Sequence, residues 1–229
     1  MTADQNIQVR FELDGWRLFF ALLERGADEQ GRLAQLRLEC AARARDRWQI
    51  ESLAADPTVA GLRKLFRAAG TDPTRYRPSS EALLRRILKG AELPAISPLV
   101  DLNNCLSLEL AVPCCVMVGD AVGSPYVLRA GQAGESYESL KGHFNLEGKP
   151  LLVDVHGPCD APITGSRRVM IDEETQRAWL VAYLPADAAH PRQAGERLEN
   201  LLARAPVATV LGSCYRPAEP EEAEQNKDG

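Results

Sequence analysis

The sequence lacks several features that would place it in a common class at once. Its 229 residues contain three histidines, only 6% aromatic residues and no run of 18 apolar residues. A membrane-spanning helix is excluded, because crossing the hydrocarbon core takes about 20 apolar residues. The N-terminus, MTADQNIQVRFELDG, shows no basic start followed by an apolar core. We therefore expect no signal peptide, no membrane partner and a cytoplasmic location.

Metal-binding and catalytic motifs are also missing. The six cysteines have no CxxC spacing and the histidines form no HxxxH pair. In a cytosolic chain this pattern favours reduced, buried cysteines, so we expect no structural metal and no cofactor. There is no GxSxG elbow, Walker A loop or GxGxxG motif after a strand. The sequence therefore carries no standard catalytic signature.

The apolar and charged contents, 45% and 26%, are ordinary for a globular protein. One domain over residues 1–217 is the simplest interpretation for this length. Apolar periodicity and capping signals predict helices over 28–54, 56–69, from Ser79 or Ser80 to Gly90, 98–110 and 191–204. Alternating patterns and flanking turn residues predict strands over 6–13, 127–129, 137–140, 151–155, 169–171, 179–184 and 206–215. By periodicity the apolar run at 16–26 fits a buried strand or a short helix, and its length and flanking glycines favour a strand after a hairpin turn at Asp14-Gly15. Helices first and strands later indicate an α+β fold, a helical N-terminal half packed on a mixed or antiparallel sheet.

Charge is distributed unevenly along the chain. The net charge is −5, and residues 219–229 hold five acids and one lysine, which leaves −1 for the rest. We expect 218–229 to be an acidic disordered tail. Residues 61–90 hold eight cations and two acids, a net of +6. This stretch either contacts phosphates or forms solvated helix faces. The candidates for phosphate contact are Arg75, Arg77, Arg85, Arg86 and Lys89.

Polar residues are concentrated in one loop. Asp154 ends an apolar strand, and a Gly- and Pro-rich stretch follows it up to Arg168. Such a loop brings backbone N–H groups close to a ligand, and Ser166 and Arg167 add a hydroxyl and a cation. A plain surface turn explains the same composition. On the predicted helix 98–110, Asn103 projects from a largely apolar surface and must find a partner if buried.

Several of these segments together resemble a known domain. The series VDLNNCLSLELAVPCC, YVLRAGQAGE and PLLVDVHGPCDAPITGSRR is similar to the ordered motifs of the B3/B4 domain in the phenylalanyl-tRNA synthetase beta subunit. RYRPSSEALLRRILKG and VMIDEETQRAWLVAYLP resemble stand-alone proteins of that group. The similarity covers roughly residues 6–212. It implies an α+β module with a cavity that hydrolyses mischarged tyrosyl-tRNA, and an aminoacyl-tRNA rather than DNA as the partner.

The resemblance also assigns site residues. A cavity threonine of the family falls on Asn103, the neighbouring asparagine on Asn104 and a cavity histidine on Cys115. Small cavity residues fall on Ala161 and Gly165. The glutamate that sets specificity falls near Val181. With Cys115 and Val181 at these positions the residues that recognise a tyrosine hydroxyl are missing, so the resemblance implies another amino acid.

Ester cleavage in such a site needs a positioned water and donors facing the oxyanion. Backbone N–H groups of 161–166 are the expected donors. Asn103 orients water or the substrate amine, while Ser166 and Arg167 bind ribose or phosphate, and Asp154 completes the candidate cavity. The resemblance and the basic stretch 61–90 thus imply a trans-acting aminoacyl-tRNA deacylase. The alternatives are a non-catalytic binding module for tRNA or an amino-acid-like molecule, and a purely structural or protein-partner domain.

Overall fold

Five helices and eleven strands make up an α+β fold in the computed structural model, which describes residues 7–27, 31–187 and 193–217. The expected fold class is confirmed. The acidic segment 218–229 lies outside the described residues. The helices are α1 (Arg32–Arg47), α2 (Pro57–Ala68), α3 (Ser79–Leu88), α4 (Pro98–Leu110) and α5 (Gln193–Arg204). The strands are β1 (Val9–Phe11), β2 (Trp16–Arg25), β3 (Cys114–Val118), β4 (Tyr126–Ala130), β5 (Ser136–Ser139), β6 (Gly142–Asn145), β7 (Pro150–Asp154), β8 (Gly157–Ala161), β9 (Thr164–Gly165), β10 (Arg177–Pro185) and β11 (Ala208–Arg216).

Helices α2 and α4 begin where local chemistry supplies a start signal. The carboxylate of Asp56 accepts hydrogen bonds from the backbone N–H groups of Thr58 and Val59, and Pro57 occupies the first turn of α2. Helix α4 likewise begins at Pro98 and spans 98–110 as expected. Helix α1 is shorter than the predicted 28–54 and ends at Arg47.

The first sheet has four antiparallel strands in the order β11-β2-β10-β3. Strand β2, one of its two inner strands, is buried over most of its length: α5 packs against it, and the Phe20 ring lies 5.4 Å from that of Tyr126 in the second sheet. Strands buried on both faces read as continuous apolar runs, which is the pattern WRLFFALL. The run at 16–26 is therefore a strand, as predicted.

The second sheet has five strands in the order β1-β4-β7-β8-β9, and β5 and β6 form a separate hairpin. Strand β1 runs parallel to β4, and the other pairs of this sheet are antiparallel. The predicted hairpin at Asp14-Gly15 is wrong, because β1 and β2 belong to different sheets. Gly15 has φ of 78° and turns the chain from one sheet to the other.

Two local predictions also fail. Residues 167–169 form one turn of 3₁₀ helix and 170–171 are irregular, so no strand exists at 169–171. Helix α3 has Pro78 at its N-cap and no side-chain cap. The Ser80 hydroxyl instead donates to the Ala111 carbonyl oxygen at 3.1 Å, which fixes α3 against the end of α4. Both errors arise because tertiary contacts override weak local signals.

One large cluster of buried side chains includes residues of all five helices and of both larger sheets. Within 7–27, 31–187 and 193–217, no helix is long and apolar enough to cross a membrane. The packing leaves one edge of each large sheet, β3 and the β8–β9 hairpin, on either side of a cavity.

Candidate functional site

A cavity of about 370 Å³ lies beside the N-terminal turns of α4, between β3 and the β8–β9 hairpin. This volume is at the small end of the range for ligand pockets, about 300 to 1,000 Å³. Segments far apart in the sequence form its walls. The lining residues are Ile96, Ser97, Val100 and Asn103; Cys115, Val116 and Met117; Leu140; Asp160, Gly165 and Ser166; and Val169, Met170, Ile171, Asp172 and Glu173.

Apolar side chains are exposed at this cavity. Ile96 is 65% exposed, Leu140 68% and Met170 44%, and together they are half of the large apolar side chains that the described residues expose. Exposed apolar groups that gather around one opening mark binding sites. The mouth of the cavity is therefore built to contact an apolar group.

Four of the predicted site residues come together here. Asn103 lies on α4, Cys115 on β3, Gly165 on β9, and Ser166 directly after β9; all four line the cavity. The polar loop identified in the sequence therefore folds as the β8–β9 hairpin and forms one wall. Residues that the sequence separates by up to 63 positions share one site.

The other predicted residues lie outside the cavity lining. Ala161 and Val181 are buried at 3% and 0% exposure, Asn104 is half-buried on α4, and Arg167 is exposed next to Ser166. Asp154 ends β7 as predicted. Its carboxylate instead bonds within the protein, to Arg168 Nη2 at 2.8 Å and to the His156 backbone N–H at 2.9 Å.

The structure adds a residue that the sequence did not identify, Asp160 of β8. Its side chain is 1% exposed and borders the cavity, and the Tyr183 hydroxyl donates to Oδ2 at 2.6 Å. The Cys115 thiol and the Ala161 backbone N–H also bond to this carboxylate. Burial, only partly offset by these bonds, raises the pKa of Asp160 to about 7.

The same surroundings also raise the pKa values of two neighbouring side chains, the Cys115 thiol and the Tyr183 phenol. Burial and the Asp160 carboxylate raise the pKa of the Cys115 thiol well above its usual range, and that of the Tyr183 phenol likewise. A thiol with a raised pKa is a poor nucleophile near neutral pH. Cys115 thus acts as a neutral hydrogen-bond donor in the cavity wall.

Asn103 is held with its amide in one orientation. Its Nδ2 donates to the Cys114 carbonyl oxygen at 3.3 Å, and a flipped amide would bring two acceptors together. The other amide atom, Oδ1, is buried and has no hydrogen-bond partner in the part of the chain that the structure describes, and the same holds for Ser97 Oγ. Buried acceptors of this kind call for an explanation, and a ligand or water in the cavity supplies one.

The basic stretch 61–90 divides into two sets. Arg63 and Arg85 bond to the buried Glu81 carboxylate at 2.9 Å, and Arg77 Nε lies 4.0 Å from it. The exposed residues Arg75, Arg86 and Lys89 make no ion pair with a carboxylate of the described ranges. Arg75 stacks on the ring of Tyr76, 5.2 Å from its centroid. Part of the stretch is therefore structural, and part is a solvated cationic surface.

No group of three or more metal-binding side chains occurs in the described residues.

A comparison with family models decides the family of the chain. The model of the B3/4 domain matches residues 61–199, more than half of the sequence. The chain belongs to the B3/4 domain family. All cavity residues of this B3/4 domain, from 96 to 173, fall within the matched segment.

The chain is 31% identical over 123 residues to the phenylalanine–tRNA ligase beta subunit of Bartonella henselae (strain ATCC 49882 / DSM 28221 / CCUG 30454 / Houston 1). The match covers 52% of this chain and 15% of that subunit. A crystal structure of an N-terminal fragment of the phenylalanyl-tRNA synthetase beta subunit from Pyrococcus horikoshii is also similar, with 14% identity and a TM-score of 0.47. That similarity covers 100% of this chain and 62% of the fragment.

Proposed function

We propose that this B3/4 domain hydrolyses the ester of a mischarged aminoacyl-tRNA after the tRNA has left its synthetase. The observation that supports the proposal best is the cavity, in which Asn103, Cys115, Gly165 and Ser166 lie together. The synthetase resemblance expects substrate contacts at Asn103, Cys115 and Gly165, and the polar loop after Asp154 supplied Ser166 as a candidate. The apolar opening and the small volume suit an aminoacyl group better than a larger ligand.

The reaction requires little covalent chemistry from the protein. Water adds to the ester carbonyl carbon, donors hold the oxyanion, and the bond to the ribose oxygen then breaks. That oxygen takes up the proton that the water loses. Pairing of Asp160 with Gly165 and of Ala161 with Thr164 uses part of the backbone of the 161–166 loop. The Ser166 hydroxyl, which accepts from the Arg168 backbone N–H, keeps its own proton to donate to the oxyanion or the ribose.

The tRNA backbone would lie on cations near this wall. Arg167 is exposed and directly follows Ser166, so it is placed for a phosphate next to the ribose. Arg75 and Arg77 precede α3, whose first residue, Ser79, donates its backbone N–H to the Pro162 carbonyl oxygen at 2.9 Å. The basic segment therefore adjoins the hairpin that forms the cavity wall. Phosphate contacts from such residues give most of the affinity of proteins for nucleic acids.

The test is release of amino acid from a complete panel of mischarged tRNAs. Purified protein is expected to deacylate at least one of them. Asn103→Ala and Arg167→Ala are expected to slow that release by about tenfold, a loss of about 1.4 kcal/mol in transition-state stabilisation. Arg32→Ala removes an exposed arginine at the start of α1 and serves as the charge-matched control. Absence of turnover with every tRNA of the panel would overturn the proposal.

A second candidate function is binding without hydrolysis. It is favoured by the chemistry of the cavity wall, where the raised pKa of Cys115 leaves a protonated thiol and no lining residue is a histidine. Saturable binding of aminoacyl-tRNA that weakens with salt, together with zero turnover across the panel, would identify this function. Binding that does not change between low and physiological salt would exclude the tRNA version of it.

A further inference from the structure

The buried acidic side chains of this protein differ in whether an arginine pairs with them. Among the described residues four acidic side chains are buried: Glu81, Asp101, Asp154 and Asp160. The first three each bond to an arginine, at 2.9, 2.5 and 2.8 Å. Buried carboxylates are expected to be paired in this way, because an isolated buried charge is costly.

Asp160 is the exception, with no ion pair to any cation of the described ranges. Its partners are the Tyr183 hydroxyl, the Cys115 thiol and the Ala161 backbone N–H, all neutral donors. Its other neighbour is Gly165, whose missing Cβ would lie 3.2 Å from Oδ1. The glycine leaves room beside this oxygen, on the wall that borders the cavity. The cavity is thus bordered by a buried carboxyl group that has no counterion among the described residues.

A second, independent feature of the same cavity is the free acceptor of Asn103. Asn103 is 6% exposed, and its Nδ2 donates to the Cys114 carbonyl oxygen. Its Oδ1 has no partner among the described residues. Ser97 Oγ, at the start of α4, is a third buried polar atom of the lining without a partner there. Both unpartnered atoms, Asn103 Oδ1 and Ser97 Oγ, can accept a hydrogen bond, and Asp160 of the same lining has no counterion among the described residues.

A primary ammonium group matches this set. It carries one positive charge and three N–H donors, whereas a carboxylate would be repelled by Asp160 and a neutral hydroxyl would leave the charge uncompensated. The rest of the lining is largely aliphatic, from Val100 and Val116 to the exposed Leu140 and Met170. A ligand that satisfies both parts has an ammonium group at one end and an apolar group next to it.

We infer that the cavity recognises the α-ammonium group of an amino acid with an apolar side chain, and that the Asp160 carboxylate and Asn103 Oδ1 accept its hydrogen bonds. The inference rests on the proposed function in taking the ligand to be an aminoacyl group, and it assigns that group's class. Asn103 thereby binds the substrate amine rather than the water.

The titration of the site supports this assignment. Burial holds the pKa of Asp160 at about 7 in the free protein, so an adjacent ammonium group favours the ionised carboxylate. The titratable groups that face it are Tyr183 of β10, Cys114 and Cys115 of β3, Tyr137 of β5 and Cys159 of its own strand, and Asp172 and Glu173 line the same cavity. None of these is a cation.

The inference is tested by the binding of small amides to the full chain at pH 7.4. Leucinamide has the ammonium and the apolar group, 4-methylpentanamide lacks the amino nitrogen, and N-acetylleucinamide keeps that nitrogen in a neutral and bulkier amide with a single N–H donor. Leucinamide is expected to bind at least about tenfold more tightly than either analogue, which is the range for a charge-assisted hydrogen bond. Asparaginamide, with a polar side chain, is expected to bind more weakly than leucinamide.

Two variants assign the effect to the named groups. Asp160→Asn keeps an acceptor for Tyr183 and is expected to weaken leucinamide about tenfold while changing 4-methylpentanamide by less than about twofold. Glu174→Gln removes one exposed charge near the cavity without touching its lining and is the matched control. Thermal unfolding of both variants checks that they are folded.

Three outcomes would overturn the inference: equal binding of leucinamide and 4-methylpentanamide, binding of none of the amides, or an Asp160→Asn variant that retains the preference. Each is separable from the proposed function. Selective binding of leucinamide without deacylation of any tRNA leaves an amino-acid-binding site and removes the enzyme. Deacylation without an ammonium preference keeps the enzyme and removes the role of Asp160.

Discussion

The surroundings of Glu81 and of Asp160 show two ways in which this fold holds a buried carboxylate. Glu81, on α3, accepts from Arg63 and Arg85, and Arg77 lies close by, so cations outnumber the acid. Asp160, on β8, has only neutral donors and borders a cavity. The Glu81 carboxylate is neutralised by arginines of the chain itself, so its role is to stabilise the fold. The Asp160 carboxyl group has no counterion in the described residues and can therefore accept hydrogen bonds from a ligand.

The largest expected effect of this difference is on stability. Glu81→Gln removes the charge that holds Arg63 and Arg85, and we expect it to lower the free energy of unfolding by about 3 kcal/mol, the low end of the range for a broken buried pair. The low end applies because the arginine side chains are 15% and 27% exposed. Urea denaturation measures the change.

The control for this variant is Glu12→Gln, whose partner Arg10 is 72% exposed. An exposed pair of this kind contributes about 0 to 1 kcal/mol. If Glu81→Gln changed the free energy of unfolding no more than Glu12→Gln does, the Glu81 cluster would not be a stabilising element.

An effect of similar size and opposite sign is expected at Asp160. Its pKa is raised from 3.8 to about 7 by folding, so the protonated side chain contributes stability that is full below about pH 4 and is lost as the pH rises through 7. Asp160→Asn has no such loss. The free energy of unfolding of the variant relative to the natural protein should therefore rise by about 3 kcal/mol from pH 5 to pH 8.

Denaturation of both proteins in matched buffers gives this difference, and other titrating groups cancel in the subtraction. A difference that stays constant with pH would show that Asp160 is ionised in the folded protein across this range. The contrast with Glu81 would then lose its basis.

The smallest expected effect is on tRNA binding, when an arginine without a carboxylate partner is removed. Arg75 makes no ion pair with a described carboxylate and stacks on Tyr76. If it contacts a tRNA phosphate, Arg75→Ala should weaken tRNA binding several-fold and reduce the slope of log affinity against log salt by about one. Titrations at several salt concentrations measure both, with Arg32→Ala as the control. An unchanged slope would place the tRNA elsewhere.

The sequence predicted those elements whose signals are local. Helix α4 spans 98–110 as predicted because Pro98 marks its start, and α2 begins at the Asp56 cap. The hairpin at Asp14-Gly15 failed because a turn signal indicates a change of direction and not the partner of each strand. The resemblance, confirmed by the family match, identified Asn103, Cys115 and Gly165 of the cavity lining, and the polar loop identified Ser166.

Asp160 could not be found in the same way. The segment 150–168 contains two aspartates, and the sequence pattern favours Asp154 as a site residue because it ends an apolar strand. Which of the two is neutralised depends on the approach of Arg168 to Asp154, a contact across 14 positions that no local pattern encodes. The missing counterion of Asp160 is likewise a property of the folded chain alone.

The bond between Tyr183 and Asp160 joins the two large sheets, because Tyr183 belongs to β10 and Asp160 to β8. A phenol donates more strongly to an ionised carboxylate than to a protonated one. A change in the charge of Asp160 therefore changes the strength of a hydrogen bond that connects the two sheets. A cation bound in the cavity would in this way also strengthen the contact between β8 and β10.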